Sequence, residues 1–252
     1  MFEILVLSLV QGITEFLPIS SSSHLFIISK YFSFNNQNLL TDVSLHIGSF
    51  LAVLTFFKSD ILDFVKNKRL FVKIILCSLP TMVVGYLLVV FNLIDYLRNI
   101  KIIGWMTLIF GIFLYISDKY NTEKEINSDF TFKSIIVISL FQILSLIPGV
   151  SRSGITISAA RLLKFKRYDS VKLSFLLSIP TLAAVSIYGV NNILNSDNIE
   201  FSLTQVGLIF LSFIISYMTI KFFLGYVKKF NLNIFIIYRI IIGCTLIIIS
   251  YL

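Results

Sequence analysis

Charge is what this 252-residue chain has least of: Asp, Glu, Lys and Arg make up 13% of it, against 57% hydrophobic residues and a mean hydropathy of +0.92. That balance excludes an ordinary soluble domain and implies one membrane domain, residues 1–252, with little mass outside the lipid. Acidic residues are the scarcer sign, 13 against 21 basic, so the net charge is +8. The basic residues fall in short loops between apolar runs, a pattern of membrane topology, and no nucleic-acid partner is expected. Cysteine is nearly missing. Cys77 and Cys244 both lie in apolar runs, which argues against a disulfide framework or a thiolate metal site. A basic leader with a small-residue cleavage signal is also absent, and the first apolar run carries Gln11 and Glu15, so it is expected to belong to the mature protein.

Uncharged stretches near spanning length are 43–57, 74–94, 102–117, 173–190 and 203–220, and the run 232–252 carries the single charge Arg239. A spanning helix needs about 20 apolar residues, usually ~17–25, so the runs 43–57 and 102–117 must borrow flanking residues. These give six expected spans. Residues 4–31 and 134–163 are apolar but broken, at Pro18 and at Pro148-Gly149. Proline removes a backbone donor and clashes with the preceding turn, so each segment reads as two half-helices. Irregular backbone at membrane depth requires burial in protein or a wet cavity, which makes re-entrant hairpins the natural form.

The distribution of Lys and Arg supports that arrangement. With the N-terminus outside and both broken segments returning to their own side, the loops 58–73, 119–133, 161–172 and 221–229 all lie inside and hold 16 of the 21 basic residues. The outer loops hold Lys30, Arg98 and Lys101, and the loop 191–202 holds none. Counting the hairpins as full spans spoils the bias. The expected fold is therefore an all-α integral membrane protein with six spanning helices and two re-entrant helical hairpins. It forms an inverted repeat of halves 1–117 and 134–252 joined by a cytoplasmic loop 118–133, an organisation that places sites at midplane breaks. A second echo, Leu79-Pro80-Thr81 against Ile179-Pro180-Thr181, does not obey this symmetry and is set apart from it.

The two breaks carry similar chemistry: Pro18-Ile-Ser-Ser-Ser-Ser-His24 and Pro148-Gly-Val-Ser-Arg-Ser-Gly154. Free N–H groups at a new helix start favour an anion, and serines cap such starts. Four successive hydroxyls, Ser20 to Ser23, exceed what one cap requires. Arg152 is an arginine near mid-membrane, which costs at least ~2.5–3.5 kcal/mol on insertion scales and implies a partner or a function. Its bland role is a structural pair with Glu15. With Ser151, Ser153 and Thr156 around it, the guanidinium reads as a phosphate cradle. Gln11 and Glu15 share a helix face, and Glu15 can handle a proton or a divalent cation. His24 is a candidate nucleophile or base, whereas His46 has no such company and reads as structural, near the cavity mouth.

These residues resemble the undecaprenyl-diphosphate phosphatase family of the bacitracin-resistance type. The matching segments are Gln11-Gly-Ile-Thr-Glu-Phe-Leu-Pro-Ile-Ser-Ser-Ser-Ser-His24 and Pro148-Gly-Val-Ser-Arg-Ser-Gly-Ile-Thr156, with further similarity at Ser174-Phe-Leu-Leu-Ser-Ile-Pro180 and Tyr238-Arg239. The resemblance implies removal of the terminal phosphate from the C55 isoprenoid diphosphate, which recycles the carrier lipid for peptidoglycan and lowers bacitracin sensitivity. It also implies a bacterial plasma-membrane location, stimulation by a divalent cation (Mg or Ca) and a site facing the outer side. The family's acidic motif maps to Gln11 and Glu15, its serine-histidine motif to Ser21 and His24, and its arginine motif to Ser151, Arg152, Ser153 and Thr156. Two departures stand out: Gln11 occupies a position that is commonly Glu, and Ser22-Ser23 replaces the usual Thr-Gly.

The expected catalytic group is thus Glu15, Ser21, His24 and Arg152, with Ser151, Arg152, Ser153 and Thr156 on the phosphates and Gln11 and Ser20 in support. Glu15 and Gln11 are the candidate cation ligands. Either His24 or Ser21 attacks the terminal phosphorus, with His24 slightly preferred. Expected partners are the polyprenyl diphosphate and membrane lipids; a homodimer is left open. The alternative function is a polyprenyl-phosphate transporter or flippase, because inverted repeats with broken helices also serve alternating access.

Overall fold

A computed structural model describes residues 2–32, 39–66, 68–120, 123–194 and 203–252. Most of the expected outer loop 191–202, residues 121 and 122 of the connection, and the side chains of Lys30 and Lys66 lie outside the described residues.

Among the described residues every named element is a helix, and one isolated bridge joins Lys124 to Phe165. The first broken segment forms α1 (Phe2–Thr14) and α2 (Ser21–Phe32), followed by α3 (Leu39–Phe56), α4 (Lys58–Lys66), α5 (Lys68–Val90), α6 (Ile94–Leu97) and α7 (Ile100–Asp118). The short α8 (Ile126–Asp129) leads into the second broken segment, α9 (Phe132–Ile143) and α10 (Arg152–Leu162), with one 3-10 turn, Leu144–Leu146, before the break. Then come α11 (Arg167–Leu194), α12 (Leu203–Val227) and α13 (Asn233–Tyr251). Five of these helices, α5, α7, α11, α12 and α13, are long and apolar enough to cross a membrane. The expected sixth span, α3, is a shorter apolar helix. Residues 58–66, expected as loop, form the amphipathic α4, continuous with α3 through Phe57, whose N–H bonds Val53 O at 3.0 Å.

The helices pack as membrane helices do, through small residues and hydroxyls. α3 lies against α12, where a Cβ on Gly48 would stand 2.5 Å from Ile209 O. Beside it Ser49 meets Ser212 and Ser216 at 3.3 and 3.0 Å, and Ser212 donates to Leu45 O at 2.8 Å. α7 lies against α13 through a similar seam, in which a Cβ on Gly243 would meet Leu108 N at 2.8 Å. α1 rests on α12, α9 on α5, and α11 on both α3 and α5. The proline turns of α5 and α11 touch: Ser78 Oγ, two residues before Pro80, donates across to Leu177 O, three residues before Pro180, at 3.3 Å. Phe16, Phe57, Phe175 and Phe223 form a buried aromatic cluster under the first break, in which Phe16 and Phe57 meet Phe175 edge to face.

Two buried arginines hold the second broken segment, one at the end of α10 and one at the break. At the finish of α10, Arg161 bonds Asp118 O and Tyr120 O at 2.7 and 3.1 Å, tying α10 to the end of α7. At the breaks, fully buried Arg239 of α13 spends its guanidinium on backbone carbonyls alone. Nη1 donates to Pro18 O at 3.0 Å, Nη2 to Gly149 O and Val150 O at 2.9 and 3.1 Å, and Nε to Thr107 O at 3.3 Å. A single side chain therefore joins both interrupted segments. Replacing Arg239 with Met should leave several of these acceptors orphaned, a loss of ~3 kcal/mol or more and a fall in melting temperature of roughly 6–12 °C in detergent. An unchanged melting temperature would remove Arg239 from its place at the centre of the fold.

Candidate active site

Each break ends in a serine with left-handed backbone, Ser20 at φ 76° and Ser151 at φ 71°, conformations that a side chain other than glycine adopts at a cost. In both cases the next residue opens a helix. Ser151 Oγ caps α10 by accepting from Gly154 N at 3.2 Å. Ser20 Oγ instead meets Ser23 Oγ at 2.9 Å, and the Ser20 carbonyl accepts from His24 Nδ1 at 2.7 Å. The N–H groups of Ser21, Ser22, Arg152 and Ser153, in the first turns of α2 and α10, make no backbone hydrogen bond among the described residues. The breaks thus bring two positive helix ends into one region.

Between them lies Glu15, nearly buried, in the turn after α1. Its Oε1 accepts from Arg152 Nη2 at 2.6 Å; its Oε2 accepts from Ser21 Oγ at 2.6 Å and from Gln11 Nε2 at 3.0 Å. The structural pair considered from sequence is present, and it joins the two hairpins directly. Arg152 keeps its Nη1 and Nε, since among the described residues only Nη2 is engaged. Gln11 Nε2 also donates to His46 Nδ1 at 3.2 Å, while Gln11 Oε1 is buried without a partner. His46 of α3 therefore belongs to this chain of contacts, not to an unconnected rim.

His24 lies one turn after Ser21 on α2. A carbonyl only accepts, so the contact to Ser20 O puts the proton on Nδ1. The lone pair of neutral Nε2 then faces the hydroxyl of Tyr238, which donates to it at 2.7 Å while the rings lie nearly parallel. Tyr238 sits beside Arg239 on α13, so neighbouring residues hold the imidazole and the two breaks.

The remaining predicted residues split. Ser151 Oγ lies 3.2 Å from Ser153 Oγ, but Ser153 donates to Leu17 O at 2.7 Å, locking one hairpin to the other. Thr156, fully buried, contacts Arg152 O and Ser153 O at 2.8 and 3.2 Å and Ser174 Oγ on α11 at 2.7 Å. Those two hydroxyls serve packing contacts and are not directed at an open site. Sequence reading had not given roles to Tyr238, Arg239 or Ser174. Their positions in the quoted similar segments were the available signal, and their long separation along the chain hid the contacts.

The family profile described as bacitracin resistance protein BacA matches residues 4–245. The chain belongs to this family. A relative named undecaprenyl-diphosphatase from Pelagibacter ubique is 51% identical over 250 residues, covering 99% of this chain and 97% of the relative. Proteins with the same name from Saccharophagus degradans and Desulforudis audaxviator are each 37% identical. The first match covers 95% of this chain and 94% of the relative, the second 100% and 98%. BacA membership accounts for a multi-pass, apolar protein in which hydroxyls, a carboxylate and a guanidinium converge at helix breaks.

Because Ser151 occupies φ 71°, a β-branched residue there should strain both the break and the α10 cap. Ser151→Val is expected to lower the melting temperature clearly more than Ser151→Gly, which forfeits only the cap hydroxyl. Equal effects would show that backbone strain at this serine is unimportant.

Proposed function

We propose that this chain is an undecaprenyl-diphosphatase, which removes the terminal phosphate of the C55 isoprenoid diphosphate and returns the carrier lipid to cell-wall synthesis. The observation that carries the reading is the Arg152–Glu15–Ser21 chain, a guanidinium, a carboxylate and a hydroxyl linked at 2.6 Å each within a BacA-family membrane protein.

The diphosphate competes with Glu15 for Arg152. Nη1 and Nε of Arg152, together with the free N–H groups of α2 and α10, hold the terminal phosphate and stabilise the charge that develops on it. As the guanidinium turns to the phosphate, Glu15 loses its strongest partner and becomes a better base toward the hydroxyl already donating to it. Ser21 Oγ then attacks the terminal phosphorus, its proton passing to Glu15. The anhydride P–O bond breaks, polyprenyl phosphate leaves, and water hydrolyses the phosphoserine. Ser21 is better suited than His24 to this step, because both imidazole nitrogens are engaged, by Ser20 O and by Tyr238. His24 would position the first turn of α2 and assist proton transfer in the second step. Ser153, Thr156 and Ser151 would hold Arg152 in place, with Ser20 and Gln11 supporting Ser21 and Glu15.

A divalent cation fits poorly as a resident of the protein. Among the described residues no three His, Cys, Asp or Glu side chains gather to hold one, and Glu15 is already committed to Arg152. Of the two candidate cation ligands, Gln11 offers a single unused acceptor, its Oε1. Stimulation by Mg or Ca is proposed to act through an ion that arrives with the diphosphate oxygens.

The contacts also support an inverted repeat of halves 1–117 and 134–252. Exchanging the halves turns α1-on-α12 into α9-on-α5 and maps the α3–α11 and α7–α13 pairs onto themselves. With α1/α2 and α9/α10 as re-entrant hairpins and α3 as the sixth span, the basic loops lie on the cytoplasmic side and the first hairpin opens outward.

Arg152→Lys is expected to lower phosphate release from the polyprenyl diphosphate by about 100-fold or more while membrane insertion persists, since the planar fork is lost. Full activity would exclude Arg152 from the site. The same assay on the unmodified protein separates hydrolysis from the transporter alternative, which requires lipid to cross vesicles without phosphate release. Ser21→Ala should abolish turnover and remove a phospho-enzyme detectable by mass spectrometry on Ser21; a phosphorylated His24 would overturn the assignment.

A further inference from the structure

A second basic constellation lies at the far end of α10. Arg152 opens that helix and Arg161 is nine residues on, about 13 Å along the axis at 1.5 Å per residue. Here the ends of α7 and α10, the start of α11 and the link into α13 enclose a cleft of about 530 Å³. Its floor is the buried carboxylate of Asp118. Oδ1 pairs with Arg161 Nε at 3.1 Å and Arg167 Nε at 2.7 Å, and Oδ2 accepts from Leu232 N at 3.3 Å. One acid therefore stands against three lining cations, Lys119, Arg161 and Arg167, and two positive charges are left over.

These cations are not equivalent. Both Nη groups of Arg161 are spent: Nη1 donates to Phe165 O at 3.0 Å and Nη2 to the Asp118 and Tyr120 carbonyls, while Nε only stands in ion-pair contact with Asp118. Arg167 uses only Nε. Its two Nη groups have no partner among the described residues, and its side chain is partly exposed. The exposed Lys119 holds its ammonium 4.1 Å from the centre of the Tyr115 ring, at the cleft wall. The side chain of Asn233, also in the lining, adds a neutral amide. A guanidinium fork with both Nη groups unspent, an ammonium lining the same cleft and an amide match a tetrahedral oxyanion, and two surplus charges match a phosphate.

We propose that this cleft binds a phosphate group, from either a lipid head group or free inorganic phosphate, at the end of the bundle remote from the hairpin breaks. The position favours the lipid. The apolar faces of α7 and α13 end here, where lipid phosphates lie, and the exposed Tyr115 ring offers an interfacial contact beside Lys119. Asp118 does not oppose an anion, because its charge is already met by Arg161 and Arg167. The site is independent of the hairpin chemistry, since no residue of the Glu15–Arg152 chain contributes to it.

The test uses the full chain carrying Arg152→Gln, so that phosphate bound at the breaks does not mask the cleft. Lipid retention is measured by native mass spectrometry from nanodiscs of phosphatidylcholine with or without phosphatidic acid, and inorganic phosphate is titrated separately by calorimetry. Arg167→Gln should lower phosphatidic acid retention by ~10-fold or more, the worth of a charge-assisted contact. If Arg167→Gln lowers the melting temperature, Lys119→Gln, whose ammonium takes no part in the Asp118 network, carries the comparison with a loss in the same direction. Lipid retention lost in the variants assigns the cleft to a head group; inorganic phosphate binding lost in the same variants assigns it to the free ion. Binding of neither probe, or binding that both variants leave unchanged, overturns the proposal.

Discussion

Arg239 holds a full positive charge inside the bundle and, among the described residues, meets no carboxylate; four backbone carbonyls from three segments surround it instead. Three of them, the carbonyls of Pro18, Gly149 and Val150, are available because the chain breaks, and the fourth, Thr107 O, belongs to α7. Where Pro18 and Pro148-Gly149 interrupt their helices, peptide oxygens turn away from helical partners and would otherwise lie unpaired in an apolar interior. The guanidinium is the side chain best shaped for this, planar and with five donors that reach in several directions at once. Each party resolves the other's problem, since the cation is solvated by peptide dipoles and the interrupted backbone is satisfied without water. The separation and orientation of α2 and α10, and hence of Ser21 and Arg152, follow from that arrangement.

Around this anchor the polar groups divide by task. Ser153 and Thr156 are turned into the protein and fix α10 against the first hairpin and α11. Glu15 bridges the hairpins on the other side of the breaks, where Arg152 remains partly exposed. An ion pair in such a setting is a latch as much as a brace: a ligand with more negative charge than one carboxylate can take the guanidinium and change the basicity of the group left behind. The surrounding glycine and serine packing lets the helices approach closely enough for these short contacts without large side chains between them.

Much of this was legible in the residues. Pro18 and Pro148 marked the breaks to within a few positions, because each is followed by serines or glycine that start a new helix, whereas Pro80 and Pro180 sit inside the continuous α5 and α11. The apolar runs located α5, α7, α11, α12 and α13, although the helices extend into flanking basic residues that hydropathy alone leaves out. α4 was missed because its alternating charged and apolar residues resemble a loop when only uncharged length is counted. The serines stood out by their number and Arg152 by its cost in lipid. What could not be read were partners far apart in sequence. His24 and Tyr238 are separated by 214 residues, and Arg239 and Pro18 by 221, and nothing in local periodicity joins them. His46 was set aside for lack of neighbours in the chain, yet it is the third member of the series from Glu15 through Gln11.

The seam between α7 and α13 limits how this molecule can move. At Gly243 and Gly104 the backbones stand so near that a methyl group would lie 2.8 Å from Leu108 N at the first and 3.0–3.2 Å from Ile247 and Leu246 at the second. Axial slippage by one residue would bring bulky neighbours into those gaps, so the two helices are keyed like a ratchet tooth in its notch. Any breathing of the bundle must then come from the other helices, leaving this pair as the fixed spine.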